Sequence, residues 1–105
     1  MIVIFENEYL RELYTAGVCR DRKRRFPPDV IKRYQKAITY LVNASSIEAL
    51  WPIHSLHYKV LQGDKAGISS IRVNDQYRIE FTVTMDAENP ILTICNIQEL
   101  SNHYE

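Results

Sequence analysis

Apolar and polar positions along the chain follow two periods, close to 3.6 residues in the first half and 2 in the second. Ile2, Val3, Ile4 and Phe5 form a short apolar run that reads as an opening strand. Asn7 is placed to cap a helix carrying Leu10, Leu13 and Tyr14 at helical spacing, with Gly17 as its stop. Pro28 suits the first turn of a second helix, whose stripe is Ile31, Tyr34, Ile38, Leu41 and Val42. Lys32, Arg33 and Lys36 fall outside that stripe. Ser45-Ser46-Ile47-Glu48 has capping-box spacing and predicts a short third turn, ended by Pro52.

From about Leu56 the alternation becomes twofold. Residues 56–61 predict a strand, and Gly63 to Gly67 a turn. Ile71 and Val73 alternate with Arg72 and Asn74, and Tyr77, Ile79, Phe81 and Val83 alternate with Arg78, Glu80, Thr82 and Thr84. Pairing Val73 with Tyr77 around a three-residue loop sets Ile71 against Ile79 on the core side. Arg72 then faces Arg78 on the other side, with Glu80 one pair further along. Two opposed arginines need an anion between them, which Glu80 supplies internally or a phosphate supplies from outside. A final strand over residues 91–97 is nearly all apolar, as expected of a central strand. The expected class is α+β, with the N-terminal strand and two helices packed on a mainly antiparallel sheet.

At 105 residues the chain is expected to be a single domain spanning residues 1–105. With 46% hydrophobic and 25% charged residues, it is neither a disordered tail, a collagen-like repeat nor a coiled coil. Thirteen basic and thirteen acidic residues cancel, but unevenly. Residues 1–36 hold nine basic and five acidic side chains, a charge of +4; the remainder holds four and eight, a charge of −4. Arg20, Arg22, Lys23, Arg24 and Arg25 put five basic residues into six positions, either a solvated loop or a surface for RNA phosphates or an acidic partner.

Cys19 and Cys95 form no framework, and Cys95 sits in an apolar run as a small hydrophobe. The short apolar start is too brief for a signal peptide, and no segment approaches a membrane span. A cytoplasmic protein without a membrane partner is the expectation. His54 and His57 are three apart in a segment read as extended, which sets them on opposite faces. With His103 and no partnering cysteine pair, a metal site is not expected.

The stretch from Gly63-Asp64-Lys65-Ala66-Gly67 through Ser70-Ile71-Arg72-Val73 to Tyr77-Arg78-Ile79-Glu80-Phe81 resembles the G-D-x-x-G…S-I-x-V-x-x-x-[WY]-R-I-x-F signature of HigB-type toxins. These belong to the RelE/ParE superfamily of bacterial type II toxin–antitoxin systems. The resemblance implies a RelE-like fold and a ribosome-dependent mRNA endoribonuclease that arrests translation, working without metal or other cofactor. It implies as partners the ribosome, mRNA and a cognate antitoxin with a helix-turn-helix DNA-binding domain. Arg78 falls on the family's arginine and is the candidate phosphate clamp, with Arg72 and the basic residues 20–25 as RNA contacts. His103 and Tyr104 fall on the family's C-terminal tyrosine and histidine, in reversed order. His103 would serve as acid or base and Tyr104 would stack or donate its hydroxyl. Lys59 stands where the family often has histidine, and Gln62 where it often has lysine, so Lys59 is the fourth catalytic candidate. The ParE branch implies an alternative: a toxin that binds and inhibits DNA gyrase and cuts nothing.

Overall fold

The computed structural model describes residues 1–89 and 91–102. Strand β1 (Ile2–Phe5) leads into helix α1 (Glu8–Ala16), then helix α2 (Pro28–Asn43). Strands β2 (Lys59–Val60), β3 (Ser69–Arg72), β4 (Arg78–Met85) and β5 (Thr93–Ser101) follow. The sheet order is β1-β5-β4-β3-β2, with β1 parallel to β5 and every other pair antiparallel. Two helices on a five-stranded, mostly antiparallel sheet make the α+β architecture the periodicity predicts.

Local chemistry explains the helix ends. Asn7 is extended at the N-cap of α1, although its side chain makes no capping hydrogen bond. Gly17 takes the left-handed conformation, φ 69°, and its N–H donates to the Leu13 carbonyl at 3.1 Å, closing the helix. In α2 the buried stripe is Val30, Tyr34, Ala37, Ile38 and Leu41. Val42, predicted inside, is 42% exposed, and Ile31 lies at the margin. The stripe turned by one position because Val30 and Ala37 share the 3.6-residue line through Tyr34 and Leu41. The buried Tyr34 hydroxyl donates to the Leu10 carbonyl at 2.8 Å, locking α2 to α1 without orphaning a polar group.

Two predicted strands shift. Residues 56–61 do not form one strand: a 3-10 turn occupies His54–Leu56, and only Lys59–Val60 pairs. Leu56 reaches the core from that turn, which satisfies the apolar pattern without a ladder. His57 ends the turn at φ 42°, so His54 and His57 are not opposite faces of a strand. The last strand starts at Thr93 rather than Ile91, which is 83% exposed. The Asp86 carboxylate accepts from the Glu88 N–H at 2.9 Å, and the Asp86 N–H donates to the Leu92 carbonyl at 3.0 Å, so Ile91 belongs to the turn. The strand is nonetheless central, between β1 and β4, and runs on to Ser101.

A bulge divides the two faces of that strand. Glu80 pairs with Glu99 but Phe81 with Ile97, leaving Gln98 as an extra residue. It resets the alternation so that Cys95, Ile97 and Leu100 all enter the core with Ile71, Ile79 and Phe81. The opposite face carries two transverse rows, Lys59–Ser70–Glu80–Glu99 and Arg72–Arg78–Ser101.

Candidate active face and basic loop

The predicted hairpin register is the observed one: Ile71 pairs with Ile79 and Arg72 with Arg78. Asn74 sets it, its Oδ1 accepting from the N–H groups of Gln76 at 2.9 Å and Tyr77 at 2.8 Å. The Val73 N–H donates to the Tyr77 carbonyl at 2.9 Å and closes the three-residue loop.

Two charges across that register have partners from outside the ladder. Arg72 ion-pairs with Asp75 in the loop. Glu80, only 3% exposed, accepts from Lys65 Nζ at 2.9 and 3.0 Å through its two oxygens, and Glu99 lies 4.0 Å from the same ammonium. Glu80 therefore bridges to Lys65, a cation from outside the β3–β4 ladder. A buried carboxylate left without a counter-charge is costly, which accounts for the segment 63–67 folding over this face. Sequence reasoning did not single out Lys65 and Glu80 as a pair; the G-D-x-x-G lysine was the available signal.

Arg78 is 6% exposed and held on two sides. Its Nε donates to Ser70 Oγ at 3.0 Å, and its Nη2 donates to the carbonyls of Ser70, at 3.3 Å, and His57. The planar guanidinium thus fixes β3 and the left-handed His57 turn to the start of β4, and its orientation is set before any ligand arrives. Lys59, across the ladder from Ser70, is exposed on the same face. On the other side Arg78 pairs with Ser101. His103 and Tyr104 lie outside the described residues.

The basic loop sits at the same end of the sheet. Phe26 stacks on Tyr9 at 6.2 Å between centroids and meets the edge of Tyr77, next to Arg78, at 5.9 Å. Arg24 lies over the Tyr9 ring at 4.2 Å and bonds Asp21 Oδ2 at 2.6 Å. The Lys23 N–H and then Arg24 hold the Asp21 carboxyl below its ordinary value. The Arg20 side chain lies 3.8 Å from Glu12. Arg20 and Arg24 are thus engaged internally, while Arg22, Lys23 and Arg25 are exposed without an ion pair among the described residues. Lys23 and Arg25 border a cleft of about 200 Å³ with Tyr77, Glu99 and Asn102. Residues from opposite ends of the chain, one set in the +4 segment and one in the −4 segment, so share one rim. Cys95 is fully buried, and burial pushes its thiol up to about 11, despite the N-terminal ammonium acting the other way. It packs as the expected small hydrophobe.

A two-helix layer on a five-stranded sheet, with a cationic rim beside a fixed arginine, defines a small α+β protein. Residues 3–94 match the HigB-like toxin family, described as the RelE-like toxin of the type II toxin–antitoxin system HigB. The chain belongs to that family. Among solved structures, it is similar to a YoeB/ParE toxin from Agrobacterium tumefaciens at 13% identity and a TM-score of 0.58, over 99% of this chain and 100% of that one. No curated relative matches the sequence. Membership in a type II system implies a cognate antitoxin as partner. No helix among the described residues is long and apolar enough to cross a membrane.

Proposed function

We propose that this toxin is a ribosome-dependent mRNA endoribonuclease and that the sheet face around Arg78 is its active face. The observation that carries the reading is the row Arg72–Arg78–Ser101. It sets a pre-oriented guanidinium beside the strand end that is two residues before His103. Cleavage of RNA by its own 2′-hydroxyl needs a base for that hydroxyl, positive charge on the phosphorane-like transition state and an acid for the 5′-oxygen. Arg78 supplies charge to the transition state, and Lys59 adds a second cation on the same face. His103, whose unperturbed pKa is about 6.5, transfers a proton, and Tyr104 stacks on a base or donates its hydroxyl. Arg22, Lys23 and Arg25 meet ribosomal RNA phosphates at the rim, and the ribosome as target makes the toxin cytoplasmic. The antitoxin, in this reading, carries a helix-turn-helix domain.

Ribosomes programmed with a defined mRNA test this. Wild type should cut within the A site, and His103→Ala should lose roughly 10²–10⁴ in rate. Arg78→Lys, which keeps charge but not the planar donor set, should lose about 10²–10³. Intact mRNA together with inhibited gyrase supercoiling would overturn the proposal in favour of a ParE-like inhibitor. Normal cleavage by both variants would remove the site assignment and leave the activity.

A further inference from the structure

A second cationic concavity lies off the end of the Arg72–Arg78 row. Arg33, Lys36 and Tyr40, at helical spacing on one face of α2, border it on one side. Arg72 of β3 and Ser55 of the 3-10 turn border it on the other, around about 270 Å³. Its origin is topological. Strand β2 pairs only with Ser69 and Ser70, so among the described residues no strand lies beside the outer edge of β3 at Ile71 and Arg72. The His54–Leu56 turn packs there instead, and a gap remains between α2 and Arg72.

Three cations converge on this gap, and no acidic side chain lines it among the described residues. Arg33 and Lys36 are exposed and make no ion pair among the described residues. Among the described residues, the carboxylate engaged with Arg72 is Asp75, whose side chain is 91% exposed. An ion pair that open to water is worth little and exchanges readily for an external anion. The apolar lining residues Ala37, Leu56 and Val73 are themselves almost fully buried in the core. The cleft therefore presents charge, two hydroxyls and the Tyr40 ring, with no apolar anchor of the kind that carries peptide affinity. Cations around an aromatic platform are what a single-stranded nucleic-acid backbone binds.

We propose that this cleft is a phosphate subsite for single-stranded RNA. It takes a backbone phosphate of the strand whose reacting phosphate lies at Arg78. Arg72 links the two positions, facing Arg78 across the ladder while lining the cleft. The subsite rests on the nuclease reading and deepens it, giving the RNA strand a direction from the sheet face toward α2.

The probe is a single-stranded tetranucleotide with every ribose 2′-O-methylated, which cannot be cut, titrated into the intact isotope-labelled protein. Amide signals of Arg33, Lys36, Tyr40, Ser55 and Arg72 should shift. Arg33→Gln with Lys36→Gln should weaken binding at least tenfold and lower the salt dependence by about 0.7 for each phosphate no longer neutralised. Lys32→Gln, on the same helix outside the cleft, should leave it unchanged. In programmed ribosomes the double variant should raise KM and keep kcat. Shifts confined to other residues, an unchanged Kd in the double variant, or shifts caused by a poly-glutamate peptide and not by the RNA would each overturn the subsite. Normal cleavage with an unperturbed cleft removes the subsite alone. A wild type that binds the probe in the cleft but cuts no mRNA removes the nuclease reading alone.

Discussion

Arg78 Nε donates to Ser70 Oγ at 3.0 Å across the β3–β4 ladder, so the proposed phosphate clamp is also a structural tie. The same guanidinium holds the His57 carbonyl, and through it the turn that leads into Lys59. The proposed ligand charge and the tie between strand β3 and the His57 turn thus reside in one planar group. Replacing it changes both at once, so its partners must be varied separately.

Ser70→Ala removes the hydroxyl acceptor and leaves the guanidinium in place. Stability should fall by about 1–3 kcal/mol, the usual range for a buried charged donor deprived of its partner. Urea unfolding measures that loss, and single-turnover cleavage should fall less than with Arg78→Lys. Equal activity losses in the two variants would mean that positioning, not the guanidinium itself, carries the effect.

His57 adopts φ 42°, a conformation that costs a residue with a Cβ roughly 1–2 kcal/mol. Arg78 uses its backbone carbonyl, which any residue supplies. His57→Gly should therefore unfold within about 1 kcal/mol of wild type, strain relief offsetting the added freedom of the unfolded chain. Full cleavage activity in this variant would confine the role of His57 to its backbone.

Lys65→Met should take the Lys65 counter-charge from the Glu80 carboxylate, which is nearly excluded from water. Unfolding at pH 7 should be easier by about 1–3 kcal/mol. Adding Glu80→Gln to Lys65→Met should restore most of that loss, because the buried charge is then gone. No rescue in the double variant would show that the pair is not coupled.

Lys23→Glu with Arg25→Glu should weaken ribosome association, most strongly at low salt, without changing stability. Arg24→Glu should instead loosen the loop, since Arg24 spans Asp21 and the Tyr9 ring. Co-sedimentation with ribosomes across a salt series, paired with thermal unfolding, separates the two effects. Equal binding at every salt concentration would remove the loop from the RNA-binding surface.

Cys19 should react with a thiol reagent in the folded protein, and Cys95 only after unfolding. The folded Cys95 thiol, pushed up to about 11, lies above the ordinary cysteine value. A group raised on folding contributes stability that is present below its unfolded value, about 8.5–9. That contribution should disappear as pH rises from there through about 11. Chemical unfolding at pH 8 and 10.5, compared between wild type and Cys95→Val, measures it; the difference should shrink in the variant, which has no thiol to ionise.

Much of the fold was legible in the chain because the signals are local. Gly17 closes α1 through its own backbone, and Asn74 builds the hairpin loop from the N–H groups two and three residues on. Residues 56–61 misled because alternation cannot distinguish a strand from a turn that drops one leucine into the core. The α2 stripe slipped by one position because Ile31 and Val42 are as apolar as the residues that displaced them. Of the site, Arg78 and its register with Arg72 could be read from the alternation, whereas Lys65 as the partner of Glu80 could not.

By itself, the sequence determined the periodicities, hence helices before strands, and the hairpin register that opposes Arg72 to Arg78. It also showed charge divided between two segments, one +4 and one −4. Only the tertiary structure decided how those charges are partnered within the protein. Arg20 and Arg24 lie against Glu12 and Asp21, and Arg72 meets both Asp75 and the cleft facing Arg33 and Lys36. Electrostatic partnership depends on distances of a few ångströms between residues far apart in the chain, and those distances exist only once the helices have packed on the sheet.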